Sequence, residues 1–151
     1  MYKRCARILF VDTDRLSCSL MAWAWSRQLG ADRIEARTAD IGLQAVNPAI
    51  QTVMREVGID ITDVHSPRLT SDMLAWADLV VTISGSDSKT APAPLPPGVQ
   101  GKLWRLGNAG ATPDLETWRR LRDTIRDRIE SMIGGMNMLK RMDQDEPAEG
   151  E

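Results

Sequence analysis

This chain of 151 residues is poor in the side chains that most often carry chemistry: it has one histidine, one phenylalanine, one tyrosine and two cysteines. Two cysteines make no disulfide framework. No uninterrupted apolar run approaches the ~18 residues of a membrane span, and no charged-then-apolar signal segment opens the chain. A soluble cytoplasmic protein without membrane contact is therefore expected. A basic excess is missing as well, the formal charge being −2, which disfavours binding to a nucleic-acid backbone. Arg119, Arg120, Arg122, Arg126 and Arg128 do cluster, but they alternate with Glu116, Asp123, Asp127 and Glu130 at helical spacing, the pattern of a solvated helix face. The lone histidine, His65, has no thiol or hydroxyl partner evident in the sequence and reads as a loop contact rather than a base.

What is present suits one domain, since 42% apolar content is enough for a single core. Arg7 to Val11 reads as a strand and about Ser19 to Leu29 as a helix stopped by Gly30. A short strand, Ile34 to Arg37, comes next, and Pro48 then starts a helix to about Val57 with Gly58 as its stop. Leu69 to Trp76 is a short helix, and Leu79 to Ile83 is a continuous apolar strand of the kind buried in a parallel sheet. Lys102 to Leu106 is a last strand, and Pro113 opens a long helix that Gly134-Gly135 ends. The alternation predicts an α/β fold, a single doubly wound parallel-sheet domain with three layers over residues 1–135. Residues 136–151 form a C-terminal extension, acidic and partly disordered at its end. Met136, Leu139 and Met142, three apart, offer a helical stripe for a protein partner or self-association, or for docking on the chain's own domain.

Asp12 decides how the chain is read. It ends the first strand and opens the turn Asp12-Thr13-Asp14-Arg15-Leu16-Ser17-Cys18-Ser19, which leads into a helix. A strand, a loop and a helix N-terminus form an anion-binding nest. Yet Asp12 and Asp14 put negative charge where an anion would sit, costing roughly 1 to 4 kcal/mol for each pair at 4 Å, which Arg15 offsets in part. Phosphate or arsenate binding is thus disfavoured, and the Asp12 carboxylate is a candidate to accept the loop N–H groups as a built-in occupant. A thiol near a helix N-terminus can be acidified; Asp12 and Asp14 oppose that at Cys18, which stands as either a reactive or an inert buried thiol. Cys5 is a free thiol with no role assigned.

From about Arg7 to Ile133 the chain resembles the low-molecular-weight protein tyrosine phosphatases, and more closely the arsenate reductases built on that fold. The residues that carry the likeness are Thr13, Ser19, Met21, Ala22 and Trp25 around the loop, and Thr38-Ala39-Asp40-Ile41 through Val46-Asn47-Pro48. Val53 to Thr62 with Ser66 and Leu69, the strand Asp78-Leu79-Val80-Val81-Thr82, and Trp118 to Ile133 extend it. Laid on the family loop Cys-Thr-Gly-Asn-Ser-Cys-Arg-Ser without gaps, the nucleophilic Cys falls on Asp12 and the phosphate-clamping Arg on Cys18. The resemblance puts the general acid at Asn108 and the two redox cysteines of the arsenate reductases at Ser84 and Ala91.

A family reaction needs a thiolate, an Arg fork and a carboxylic acid. With Asp12, Cys18, Ser84, Ala91 and Asn108 at those positions, no catalytic residue is expected, and the chain reads as a degenerate family member acting as a binding or regulatory module. Trp23, where the family usually has Glu, serves this reading as an interface anchor or, tucked under Trp76 or Trp104, as plain core. Two alternatives stand beside it. One is a residual phosphatase or arsenate-reductase-type enzyme, with Asp114 as a displaced acid or simply a first-turn residue of the last helix. The other is a Mg-dependent aspartyl-phosphate phosphatase, because Phe10-Val11-Asp12-Thr13-Asp14 resembles motif one of the haloacid-dehalogenase enzymes. Apart from that Mg²⁺, no metal or cofactor is expected.

Overall fold

A computed structural model describes residues 5–13, 18–41, 47–84, 94–106 and 113–145, the side chains of 137–145 excepted. Four parallel strands form one sheet in the order β2-β1-β3-β4: β1 (Ala6–Asp12), β2 (Ile34–Asp40), β3 (Leu79–Ser84) and β4 (Gln100–Arg105). β1 lies between β2 and β3, and its apolar run follows from burial on both faces. Ile8 and Phe10 enter the larger core, while Leu9 and Val11 enter a smaller one. Residues of α1 (Cys18–Leu29), α2 (Pro48–Arg55) and α4 (Leu115–Asp145) build the larger core, and α3 (Ser71–Trp76) covers the other face. This is the doubly wound α/β domain expected from the alternation of elements.

Local chemistry sets most of the helix ends. Asn47 caps α2 by accepting from Ala49 N–H at 2.9 Å, Pro48 occupies the first turn, and Gly58 follows at φ +82°, where a side chain would be strained. Thr70 caps α3 through Met73 N–H at 3.3 Å. Asp114 accepts from Thr117 N–H at 2.8 Å at the start of α4.

Two expectations are corrected. β2 continues to Asp40, because it stays in register with β1 as far as Asp12↔Asp40, and segment 66–69 runs alongside its last residue: Asp40 N–H donates to Pro67 O at 2.9 Å and Leu69 N–H to Asp40 O at 2.8 Å. α4 does not end at Gly134-Gly135 but runs on to Asp145. Glycine weakens a helix without forbidding it, and nothing lies within 4 Å of a Cβ placed at either glycine.

The arginine-rich face of α4 is also less solvated than its alternation suggests. Arg122 is buried and reaches across to α2, donating to Val53 O at 2.9 Å and to Glu56 at 2.8 Å, while Trp25 Nε1 donates to its carbonyl at 3.2 Å. Arg119 grips the same Glu56 with two nitrogens, at 3.0 and 2.8 Å. This fork, with Arg122 and against opposing partial desolvation, holds the Glu56 carboxyl down from 4.5 to about 2. A carboxylate with a depressed pKa stabilises the fold above its ordinary pKa and loses that contribution as pH falls through the folded one. The Glu56→Gln protein should therefore melt below the wild type at pH 7, and the gap should close as pH drops from about 5 toward 2. Thermal melts of both proteins across that range check this, and a gap independent of pH would show that the two arginines do not act on Glu56 as an ion.

Candidate functional site

The C-terminal end of β1 meets the first turn of α1, and there the Asp12 side chain is turned inward, 1% exposed. Its Oδ2 accepts from the backbone N–H of Ser19 at 3.4 Å and from the Ser19 hydroxyl at 3.3 Å. Thr38 Oγ1, at the end of β2, donates to Ser19 Oγ at 2.8 Å and lies 2.7 Å from Ser66 Oγ. A hydroxyl has one proton. With that of Ser19 given to Asp12 and that of Thr38 to Ser19, the proton between Thr38 and Ser66 belongs to Ser66. Three hydroxyls thus donate in series toward one carboxylate, an arrangement in which each bond polarises the next.

The backbone fixes this end of the sheet. Thr13 N–H and its hydroxyl both reach Ile83 O at 3.3 Å, and Ile41 N–H reaches Asp12 O at 3.4 Å. Asp40 is the register partner of Asp12 on β2 and is 5% exposed, so a second carboxylate is buried beside the first. Neither Asp40 nor the link from Thr38 to Ser66 was foreseen. The available signal was a strand long enough to bring Thr38 and Asp40 level with Phe10 and Asp12.

The other expected positions distribute as follows. Cys18 is the first residue of α1 and fully buried. Ser84 ends β3, buried, with Leu106 N–H on its carbonyl at 2.8 Å. Residues 14–17, which include Asp14, Arg15, Leu16 and Ser17, lie outside the described residues, as do Ala91 and Asn108. Trp23 is half-buried against the larger core with the Arg27 guanidinium 4.8 Å from its ring centre. Trp104 instead packs against Phe10 at 6.0 Å, and Trp76 lies under Arg37 at 4.1 Å. Met136 rests on the core's edge, whereas the side chains of Leu139 and Met142 are outside the described set. His65 is exposed. Asp114 is held below the usual carboxylate range by the Thr117 hydroxyl and N–H, so it caps α4 as an anion and has no proton to donate. Cys5 lies just before β1 at the opposite end of the sheet, its thiol 3.5 Å from Asp32 O.

Comparison with known proteins resolves the identity of this frame. No family model matches the chain. An arsenate reductase of Staphylococcus epidermidis is 34% identical over 124 residues, covering 82% of this chain and 93% of that protein. That of Bacillus subtilis is 34% identical over 128 residues, covering 82% and 91%. Among solved structures, an arsenate reductase in its phosphate-binding state superposes with a TM-score of 0.69 at 26% identity, covering 86% of this chain and 98% of the other. A tyrosine phosphatase of Erwinia amylovora shares the fold alone, with a TM-score of 0.70 at 14% identity over 87% and 93% of the two chains. The expectation of a binding or regulatory module without catalysis is overturned by these relatives, which are enzymes matched over nearly their whole length. Substitutions at Asp12 and Cys18 change the side chains of the loop, but they leave the strand, the helix and the sheet order of an enzyme in place. The chain belongs to the arsenate reductase family.

Proposed function

We propose that this protein is an arsenate-reductase-type enzyme that takes its oxyanion at the turn between β1 and α1 and reduces it with thiols. The observation that carries this is the 34% identity to arsenate reductases across 124 residues, and the β1–α1 turn supplies one thiol to go with it. Cys18, at the first turn of α1 beside Ser19, is that thiol. Its sulfur attacks arsenic and forms an S–As bond as an oxygen leaves as hydroxide. A second thiol then attacks the Cys18 sulfur, a disulfide forms, and the electron pair of the broken S–As bond stays on arsenic, which departs as arsenite. Arsenic is reduced by two electrons and two thiols are oxidised. Cys18 is fully buried at rest, so this attack requires the first turn of α1 to open toward the oxyanion.

The second thiol comes from outside the chain. Cys5 precedes the seven residues of β1 and Cys18 follows them; the strand separates them by roughly 20 Å, against the ~4.4 to 6.8 Å between Cα atoms that a disulfide spans. Cytoplasm, where thiols are kept reduced, suits such a reaction. Among the described residues, no helix is long and apolar enough to cross a membrane. Asp12 as the nucleophile of a Mg-dependent aspartyl-phosphate reaction fits less well, because its Oδ2 is taken up by Ser19. Arsenite formed from arsenate with excess dithiol tests the proposal. Wild type should produce it above the enzyme-free background and Cys5→Ser should match wild type; a rate no higher than background would defeat it.

A further inference from the structure

β4 is the outermost strand of the sheet and, among the described residues, pairs with β3 alone. Between it and α4 runs an open groove of about 390 Å³, where the cations Lys102 and Arg128 face a single carboxylate, Asp127, around Trp104 and Met132. The Arg128 guanidinium lies 5.8 Å from the Trp104 ring centre. Farther along the same helix the chain changes sign: past Arg141 come Asp143, Asp145, Glu146, Glu149 and Glu151, with no further cation. At roughly 100° per residue, the helix positions of Met132, Leu139 and Met142 fall within about 40° of Arg128. The groove face of α4 therefore leads into an apolar stripe and then into the acidic end.

A face that is basic at one end and acidic at the other complements itself when run in the opposite direction. We propose that two copies of this chain pair through α4, antiparallel about Leu139, each laying its acidic end, from Asp143 on, in the groove of Lys102 and Arg128 on the other. Met136 then lies level with Met142 of the second copy, Asp145 with Ile133 and Glu146 with Met132. Residues 146–151 enter the groove from there whether they rise as helix or run extended. A chain's own acidic end falls short of Arg128 while α4 is intact. Asp145 lies about 26 Å beyond Arg128 along the helix axis, and six residues span at most about 20 to 22 Å. With only Met136, Leu139 and Met142 to bury at its centre, the contact is small and grows with concentration.

Sedimentation equilibrium of the full chain tests this, at low salt where paired charges are least screened and from about 10 to 500 μM, the range of a weak contact. The wild-type mass should climb from that of one chain toward that of two. Reversing the groove (Lys102→Glu with Arg128→Glu) or reversing the tail (Asp143→Lys, Asp145→Lys and Glu146→Lys) sets like charges together, and each should weaken self-association at least about tenfold. Mixed in equal amounts, the two variants should pair about as tightly as wild type, because each groove then meets a tail of opposite sign. A wild type that stays monomeric throughout, a reversed variant that self-associates like wild type, or a mixture that stays monomeric overturns the proposal. Arg128 is half-buried and Lys102 exposed; if the double groove variant does not fold, Lys102→Glu takes its place, alone and in the mixture, with the same outcomes deciding.

Discussion

Replacing Cys18 by serine should reduce arsenite production by roughly 10³-fold or more, the scale on which loss of a covalent nucleophile is felt. Serine is close to cysteine in shape and is at home at the start of a helix, so α1 should begin where it does now and the core around it should survive. What is lost is the sulfur: a hydroxyl neither attacks arsenic readily at neutral pH nor forms the disulfide that carries the electrons away. Arsenite assays on wild type, Cys18→Ser and Cys5→Ser, with melting temperatures as a control for folding, separate chemistry from stability. A Cys18→Ser protein that melts normally and keeps more than about a tenth of the rate would show that the thiol of this loop is not the one that reduces arsenate.

The second large effect concerns the core. Trp118 sits in the first turns of α4, 1% exposed, in the same cluster as Met21 and Trp25 of α1 and Leu121, Ile125 and Ile129 of its own helix. Truncation to alanine should cost about 3 to 5 kcal/mol, the usual range for a buried aromatic, and lower the melting temperature by roughly 10 to 15 °C. Phenylalanine should behave quite differently. The indole Nε1 of Trp118 is buried without a hydrogen-bond partner among the described residues, so Trp118→Phe removes a donor unsatisfied there as well as some volume, and the two effects oppose. A loss of about 1 to 2 kcal/mol is expected, and chemical denaturation of the two variants checks the difference. If phenylalanine is as damaging as alanine, the indole N–H has a partner in solution and the cluster is held by more than packing.

The parts of the fold legible in the sequence are those whose signal is local. β1 and β3 announce themselves because both faces of each are buried and nearly every residue is apolar. α2 announces itself through Asn47-Pro48 and Gly58, residues whose backbone preferences act at short range. The second half of β2 escaped notice because its pairing is non-local: Thr38, Ala39 and Asp40 lie opposite Phe10, Val11 and Asp12 of β1, and Asp40 also bridges to Arg68. The same non-locality hides the site. Asp12 and Ser19 could be placed at one turn from their spacing, but Thr38 and Ser66 join them across 19 and 28 further positions, which no periodicity reveals. Arg122 was misread for a related reason: alternating charges predict a wet face, yet its head finds Val53 O and Glu56 on another helix. The inference from changed loop residues to a silent module failed differently, since it weighed individual positions against an architecture that the relatives share almost entire.

The two glycines inside α4 divide it energetically even though they do not interrupt it. Each costs about 1 kcal/mol relative to alanine in a helix interior, and both face open space, so no close packing repays them. Upstream, Ile125, Ile129 and Ile133 lock the helix onto the core, and Met136 lies half-buried just beyond the pair. Amides before Gly134 should therefore exchange with solvent only when the domain opens globally, while those of 136–145 exchange through local unwinding at a much lower free energy. One continuous rod in outline, α4 is two cooperative units in its fluctuations, and the joint between them is written as Gly134-Gly135.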